Sequence, residues 1–75
     1  MKNFYVIEIQ TNSDGTSGNF VFGFADRADA EAKYHTVAAA AAKSAVMVHS
    51  VVMLTNKGSN VKNEAYIHPT EEPEE

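Results

Sequence analysis

Residues 26–44, DRADAEAKYHTVAAAAAKS, constrain the fold most, because they carry the only long helical pattern in the sequence. Alanine, the strongest helix former, dominates this stretch. Asp26 precedes it as an expected N-cap, and Lys43 lies near its carboxyl end, where the helix dipole favours positive charge. The segments on either side must therefore supply the packing partners of a single helix.

Two apolar stripes run along this predicted helix when residues are placed about 100° apart. The expected core stripe consists of Ala30, Tyr34, Val37, Ala38 and Ala41. The second stripe is a ridge of small side chains interrupted by one imidazole, and it consists of Ala28, Ala32, His35, Ala39 and Ala42. Helix propensity alone explains exposed alanine. Close approach of a second helix is the alternative that the small side chains favour.

Strand patterns flank the helix, two before it and two after it. The predicted strands are 3–10, 19–25, 46–55 and 61–68, and turn-forming runs separate the members of each pair. A right-handed crossover through the helix can place the third strand beside the first. The sequence therefore predicts an α+β fold, ββαββ, with a four-stranded antiparallel sheet in the order 2-1-3-4 and the helix packed on one face.

Alternation along the strands predicts which side chains face the helix. Two apolar triplets alternate in the first hairpin, namely Tyr5, Ile7 and Ile9 and then Phe20, Phe22 and Phe24. Placing both triplets under the helix sets Ile9 opposite Phe20. In the second hairpin, pairing by face predicts a four-residue loop, 57–60, and places His49 opposite His68.

The same registers predict an uncovered sheet face that is unusually apolar. Its main residues are expected to be Phe4, Val6, Met47, His49, Val51, Met53, Tyr66 and His68. A contiguous apolar patch on a soluble protein marks an interface. We therefore expect a homo-oligomer, a dimer or larger, formed through this face or through the helix ridge. The alternative is that β-propensity alone accounts for the valine and methionine residues of the third strand.

Composition excludes several functional classes. The 75-residue chain has no cysteine, which suits a reducing cytoplasm and excludes disulfides and thiolate metal sites. It has a net charge of −4 and no basic stripe, so we expect no direct nucleic-acid binding. No apolar run reaches the ~20 residues that span a bilayer, so no membrane association is expected. Residues 1–68 are predicted to form one domain, and residues 69–75, PTEEPEE, a disordered acidic tail.

Two histidines are the candidates for ligand binding. His49 opposite His68 could hold a metal or an anion, or make a pH-sensitive interface. A metal site normally needs three or four protein ligands, and only Glu8 or Glu64 is expected nearby. Two histidines within an interface are therefore the preferred interpretation, and we predict no metal and no cofactor.

Catalytic residues are not predicted either. Ser44, His35 and Asp29 have the composition of a Ser-His-Asp set, but the helical period spreads them around the helix, so that their side chains do not converge. We expect the protein not to be an enzyme.

The segment 30–69 also carries a resemblance. Its features are Ala-x-Ala-Lys-Tyr-His at Ala30 to His35, the alanine run to Ser44, His49 in the third strand, and Glu64-x-Tyr66-x-His68. With these features the chain resembles small uncharacterised proteins encoded by phages and prophages of Gram-positive bacteria. The resemblance implies a phage origin and supplies no site residues.

The expected function combines these indications. It is a small non-catalytic, homo-oligomeric binding protein of phage type, an accessory protein that binds a host protein or a small ligand, for example in counter-defence. A structural or assembly component of the virion is the first alternative. A small enzyme or metal-binding protein with a site at a dimer interface is the second. The expected location is the host bacterial cytoplasm or the virion.

Overall fold

A computed structural model describes residues 1–68, which form one antiparallel sheet and one helix. The elements are β1 (Phe4–Thr11), β2 (Ser17–Phe24), α1 (Arg27–Lys43), β3 (Val48–Thr55) and β4 (Asn60–Ile67). The strand order is β2-β1-β3-β4, with every neighbouring pair antiparallel. The predicted ββαββ architecture and sheet order are confirmed. The predicted acidic tail, 69–75, lies outside the described residues.

The helix buries the stripe that its period predicts. The buried helical residues are Ala30, Tyr34, Val37, Ala38 and Ala41. Asp26 occupies the N-cap position, but its side chain makes no capping hydrogen bond, contrary to expectation. At the other end the Ser44 N–H donates to the Ala41 carbonyl at 3.3 Å, which ends the helix.

Two short loops close the hairpins with the same pattern of hydrogen bonds. In the first loop the Asn12 N–H donates to the Thr16 carbonyl at 2.8 Å, and the Gly15 N–H donates to the Asn12 carbonyl at 3.0 Å. Thr55 and Gly58 hold the equivalent positions in the second loop. Gly15 and Gly58 have φ values of 92° and 84°, in the left-handed region that a three-residue hairpin loop with a glycine bulge requires.

These tight loops change both predicted registers. In the first hairpin Phe20 pairs with Glu8 rather than Ile9. A shift by one residue turns a strand over, so the prediction for the faces of β1 is wrong. In the second hairpin His49 pairs with Tyr66 rather than with His68. Because the shift is by two residues, the side chains of β3 and β4 that were predicted to share a face still do so.

The helix therefore covers the face of β1, β3 and β4 that was expected to be open. Val6, Val51 and Met53 are 0%, 1% and 0% exposed and pack in one core cluster with Tyr34 and Val37 of the helix. The expectation was wrong because β1 and β3 are apolar on both faces, so alternation could not choose between them. For β2 the prediction is right, since Phe24 packs against the core.

Candidate functional site

Most of the residues predicted to form an exposed interface lie inside the protein. Val6, His49, Val51 and Met53 are buried, and Phe4 and Tyr66 are partly buried against the core. Met47 lies in the segment before β3, and His68 follows the end of β4. The prediction of an open face made of these residues is wrong.

The open face of the sheet, defined as the strand side chains that point away from α1, is nevertheless apolar. Its apolar members are Tyr5, Ile7, Ile9, Val21, Val48, Val52, Leu54, Ala65 and Ile67, and its uncharged polar members include Ser17, Asn19, Ser50 and Asn63. Val21 is 61% exposed and Ile67 is 71% exposed, on the two edge strands. The sequence thus predicted an apolar open face but assigned the wrong residues of β1, β3 and β4 to it.

No charged strand residue lies on the open face. Among residues 4–67, the charged side chains of the strands are Glu8, Lys62 and Glu64, and the registers place all of them on the helix-covered side. Lys62 contacts the helix directly, with Nζ 3.9 Å from an oxygen of Glu31 and 5.5 Å from the centre of the Tyr34 ring. A sheet face that meets water is normally the polar one, so the distribution of charge here is the reverse of the usual pattern.

A buried polar cluster lies on the covered side, between β1, β3 and the end of the helix. His49 is 4% exposed, and its ring lies with Nε2 2.5 Å from Oε2 of Glu8 and Nδ1 2.7 Å from Oγ of Ser44. The Gln10 amide donates to the same Glu8 oxygen at 3.0 Å. Ser44 belongs to the helix cap, so these contacts fasten the carboxyl end of α1 to the two central strands.

The Glu8 carboxyl has a pKa below its usual value. Burial raises the pKa, but the hydrogen bonds from His49 and Gln10 and the nearby positive charges of His49 and Lys33 outweigh the burial and lower it. The cluster is thus a hydrogen-bonded network that favours the ionised carboxylate of Glu8.

A hydroxyl and a carboxylate on the two nitrogens of one imidazole form the arrangement of a general-base relay. Here the hydroxyl is engaged in the fold, because Ser44 Oγ donates to the Ala41 carbonyl at 3.2 Å and accepts from the Val46 N–H at 3.4 Å. One hydroxyl hydrogen cannot serve both the Ala41 carbonyl and His49. With the hydroxyl hydrogen on the Ala41 carbonyl, the contact with His49 requires an Nδ1–H that donates to Oγ.

Sequence reasoning missed this cluster, although a signal for it existed. Glu8 and His49 are polar interruptions in the two most apolar strands, and the predicted sheet order already made those strands neighbours. The Ser44, His35 and Asp29 set considered from the sequence does not form, because Ser44 bonds His49 and His35 is exposed on the helix.

The predicted histidine pair does not form a shared site. His68 Nε2 donates to the Ala41 carbonyl at 2.9 Å, and the His68 backbone N–H donates to the Met47 carbonyl at 2.7 Å. His68 therefore satisfies a carbonyl at the end of the helix, while His49 bonds Glu8. Residues 1–68 contain no group of three or more His, Asp or Glu side chains that could hold a metal ion.

The helix ridge is the remaining predicted surface. All of its residues, Ala28, Ala32, His35, Ala39 and Ala42, are exposed. The His35 ring lies edge-on to the Tyr34 ring, with their centres 5.5 Å apart. Ordinary helix propensity accounts for such a stripe.

No protein-family model, no curated protein and no solved structure matches this chain. Within the described part of the chain, α1 falls short of the length and apolarity that a membrane-crossing helix needs.

Proposed function

We propose that this chain is a non-catalytic binding protein that self-associates through the open face of its sheet, with a second copy of the chain as the occupant. The observation that supports this most is that the open face has many apolar side chains and no charged strand residue. Sheets pack face to face in this way, with strand directions about 30° apart, when both inner faces are apolar.

Charge favours a second copy over a charged partner. The chain carries a net charge of −4, so two copies repel each other wherever their charged surfaces meet. The open face avoids that cost because Glu8 and Glu64 point to the other side of the sheet. It also offers no carboxylate to attract a basic partner.

The size of the face suits a modest dimer. Four strands about 4.8 Å apart, with eight residues of about 3.3 Å each, give a face of roughly 500 Å² per copy. Two copies would bury about 1,000 Å², which is near the lower limit for a specific interface. The central pair, Ile7 beside Val52, would form the middle of the contact.

The biological role that we infer is that of a phage accessory protein in the host cytoplasm, where the oligomer binds a host protein or a small ligand. This part of the proposal rests on the sequence resemblance. A virion component and a small enzyme with its site at the dimer interface are the alternatives.

The oligomer is tested by native mass spectrometry and light scattering over a range of concentrations. We expect the wild type to be a dimer or a larger closed oligomer. Val52→Glu should weaken the face contact at least about 100-fold, because it buries an unpaired carboxylate in each copy. The control is Ala39→Glu on the exposed side of the helix, which should leave the mass unchanged.

Each result has a definite meaning. A monomeric wild type, or a Val52→Glu protein with unchanged mass, overturns the face contact. A retained small molecule in proportion to the number of subunits supports the enzyme alternative. Copurification with phage particles supports the virion alternative.

A further inference from the structure

The two edges of the sheet are protected to different degrees. β4 carries Lys62 and Glu64, and its pairing with β3 is irregular next to Leu54. β2, SGNFVFGF, has no charge and no proline, and its pairing with β1 is regular over the whole strand. Charges and bulges are the devices by which natural sheets prevent further strand pairing. β4 has both of these devices, whereas β2 has neither within the strand, and the Lys2 ammonium lies only at its end, beside the Gly23 carbonyl.

The hydrogen bonds of the first hairpin show which backbone groups of β2 point outwards. Asn12 donates to Thr16 across the loop, so this is a hydrogen-bonded pair, and such pairs recur at every second residue of an antiparallel ladder. The even-numbered residues of β2 therefore bond β1. The residues whose N–H and C=O groups point away from β1 are Ser17, Asn19, Val21 and Gly23. The Lys2 ammonium lies 3.3 Å from the Gly23 carbonyl, in agreement with this assignment.

We propose that β2 pairs antiparallel with β2 of a second copy, across a two-fold axis at Phe20. This surface is distinct from the open face used in the proposed function. Asn19 then lies opposite Val21 of the second copy, and Ser17 lies opposite Gly23. The four outward-pointing residues are symmetric about Phe20, so the pairing gives each outward N–H and C=O group from Ser17 to Gly23 a partner. The Gly23 carbonyl, which already accepts from Lys2, uses its second lone pair.

The side chains favour the same arrangement. Phe20 is 50% exposed and lies on the helix-covered side of the sheet, at the edge. Across the two-fold axis it meets Phe20 of the second copy, and a cross-strand aromatic pair of this kind stabilises antiparallel strands. Self-complementary contact of one patch with itself is what a two-fold dimer requires.

The geometry also connects the two surfaces. A two-fold axis perpendicular to the sheet keeps both open faces on one side and both helices on the other. The product is a continuous eight-stranded sheet with an open face of twice the area. If two such sheets pack face to face as proposed above, the assembly closes at four copies.

The test compares one substitution at the two edges. Asn19→Pro removes an outward N–H from β2, and Asn63→Pro removes the corresponding outward N–H from β4. Both asparagines are exposed, and the backbone N–H of neither one donates to the neighbouring strand of the same sheet. We expect the wild type to contain four copies, Asn19→Pro to halve the mass, and Asn63→Pro to keep it. Circular dichroism should show a folded sheet in both variants.

A second variant of β2 tests the same pairing without a proline, in case the proline variants misfold. Phe20→Glu leaves the backbone free to pair but places two carboxylates against each other at the two-fold axis, so it should also halve the mass.

The outcomes separate this inference from the proposed function. If Val52→Glu halves the mass and the two β2 variants do not, the edge pairing is overturned and the face contact remains. If the β2 variants halve the mass and Val52→Glu does not, the edge pairing remains and the face contact is overturned. Equal loss of mass with Asn63→Pro, or a monomeric wild type, overturns the edge pairing.

Discussion

The two faces of this sheet share their central strands but differ in charge and in packing. The covered face lies under α1 and contains Val6, Val51 and Met53, together with the ion pair of Glu8 and His49. The open face, with Tyr5, Ile7, Val52 and Leu54 among its members, has no charged strand residue, and no helix covers it within residues 1–68. The Lys2 side chain lies against Gly23 at one edge of it.

The comparison shows that polarity alone does not decide which face of a sheet is covered. Polar groups are tolerated under the helix because each has a partner, as His49 has in Glu8 and Ser44. Lysine at the margin also contacts aromatic rings, with Lys33 Nζ 4.1 Å from the centre of the Phe22 ring. An apolar face whose strands carry no charge, left open in a small acidic chain, supports the proposed contact with a second chain.

The strongest test of this difference uses neighbouring residues. Val51→Glu places a carboxylate among fully buried side chains, and we expect it to cost about 4 kcal/mol or more, enough to unfold most of a chain of this size. Val52→Glu, one position along, should remain folded. Urea denaturation followed by circular dichroism measures both. A folded Val51→Glu together with an unfolded Val52→Glu would mean that the helix packs on the other face.

The ion pair of the covered face provides a test of intermediate size. Glu8→Gln should lower the free energy of unfolding by about 2 kcal/mol at pH 7, because His49 loses a charged hydrogen-bond partner. The folded-state pKa of Glu8 is lowered from 4.5, so its contribution is present above about pH 4.5 and is lost as the pH falls through the lowered value. The difference between wild type and variant should therefore close in acid.

Urea titrations from pH 7 to pH 3 measure this difference. Glu64→Gln, an exposed change on the same side of the sheet, is the control. It keeps an oxygen that can accept from the Tyr34 and Tyr66 hydroxyls, so it should cost less than about 0.5 kcal/mol. A gap between wild type and Glu8→Gln that stays constant with pH would count against the ion pair.

The smallest expected effect concerns packing within the open face. A Cβ atom added at Gly23 would lie 3.2 Å from the side chains of both Lys2 and Tyr5, so Gly23→Ala should cost about 0.5 kcal/mol. Gly18→Ala meets no atom within 4 Å and should be neutral or slightly stabilising, by up to about 0.5 kcal/mol. Thermal unfolding of the two variants ranks them, and equal stabilities would show that Tyr5 does not lie over Gly23.

Local sequence patterns were enough to predict the elements, their order and the buried stripe of the helix. Alanine content and the 3.6-residue period are local properties, so Ala30, Tyr34 and Ala41 could be placed correctly without any tertiary information. The sheet order followed from the handedness of the crossover and from the apolar character of β1 and β3.

The face of the sheet that the helix covers could not be predicted from these patterns, because it depends on how the strands pair. In β1 and β3 both alternating sets of side chains are apolar, so a period of two cannot tell the covered set from the open set. The hairpin registers determine which set is covered. Those registers depend on the backbone of two tight loops, at Gly15 and Gly58, where a difference of one residue turns a strand over. The partners of Glu8 and His49 come from different elements of the chain, so their burial became stable only when the helix end and the two central strands met.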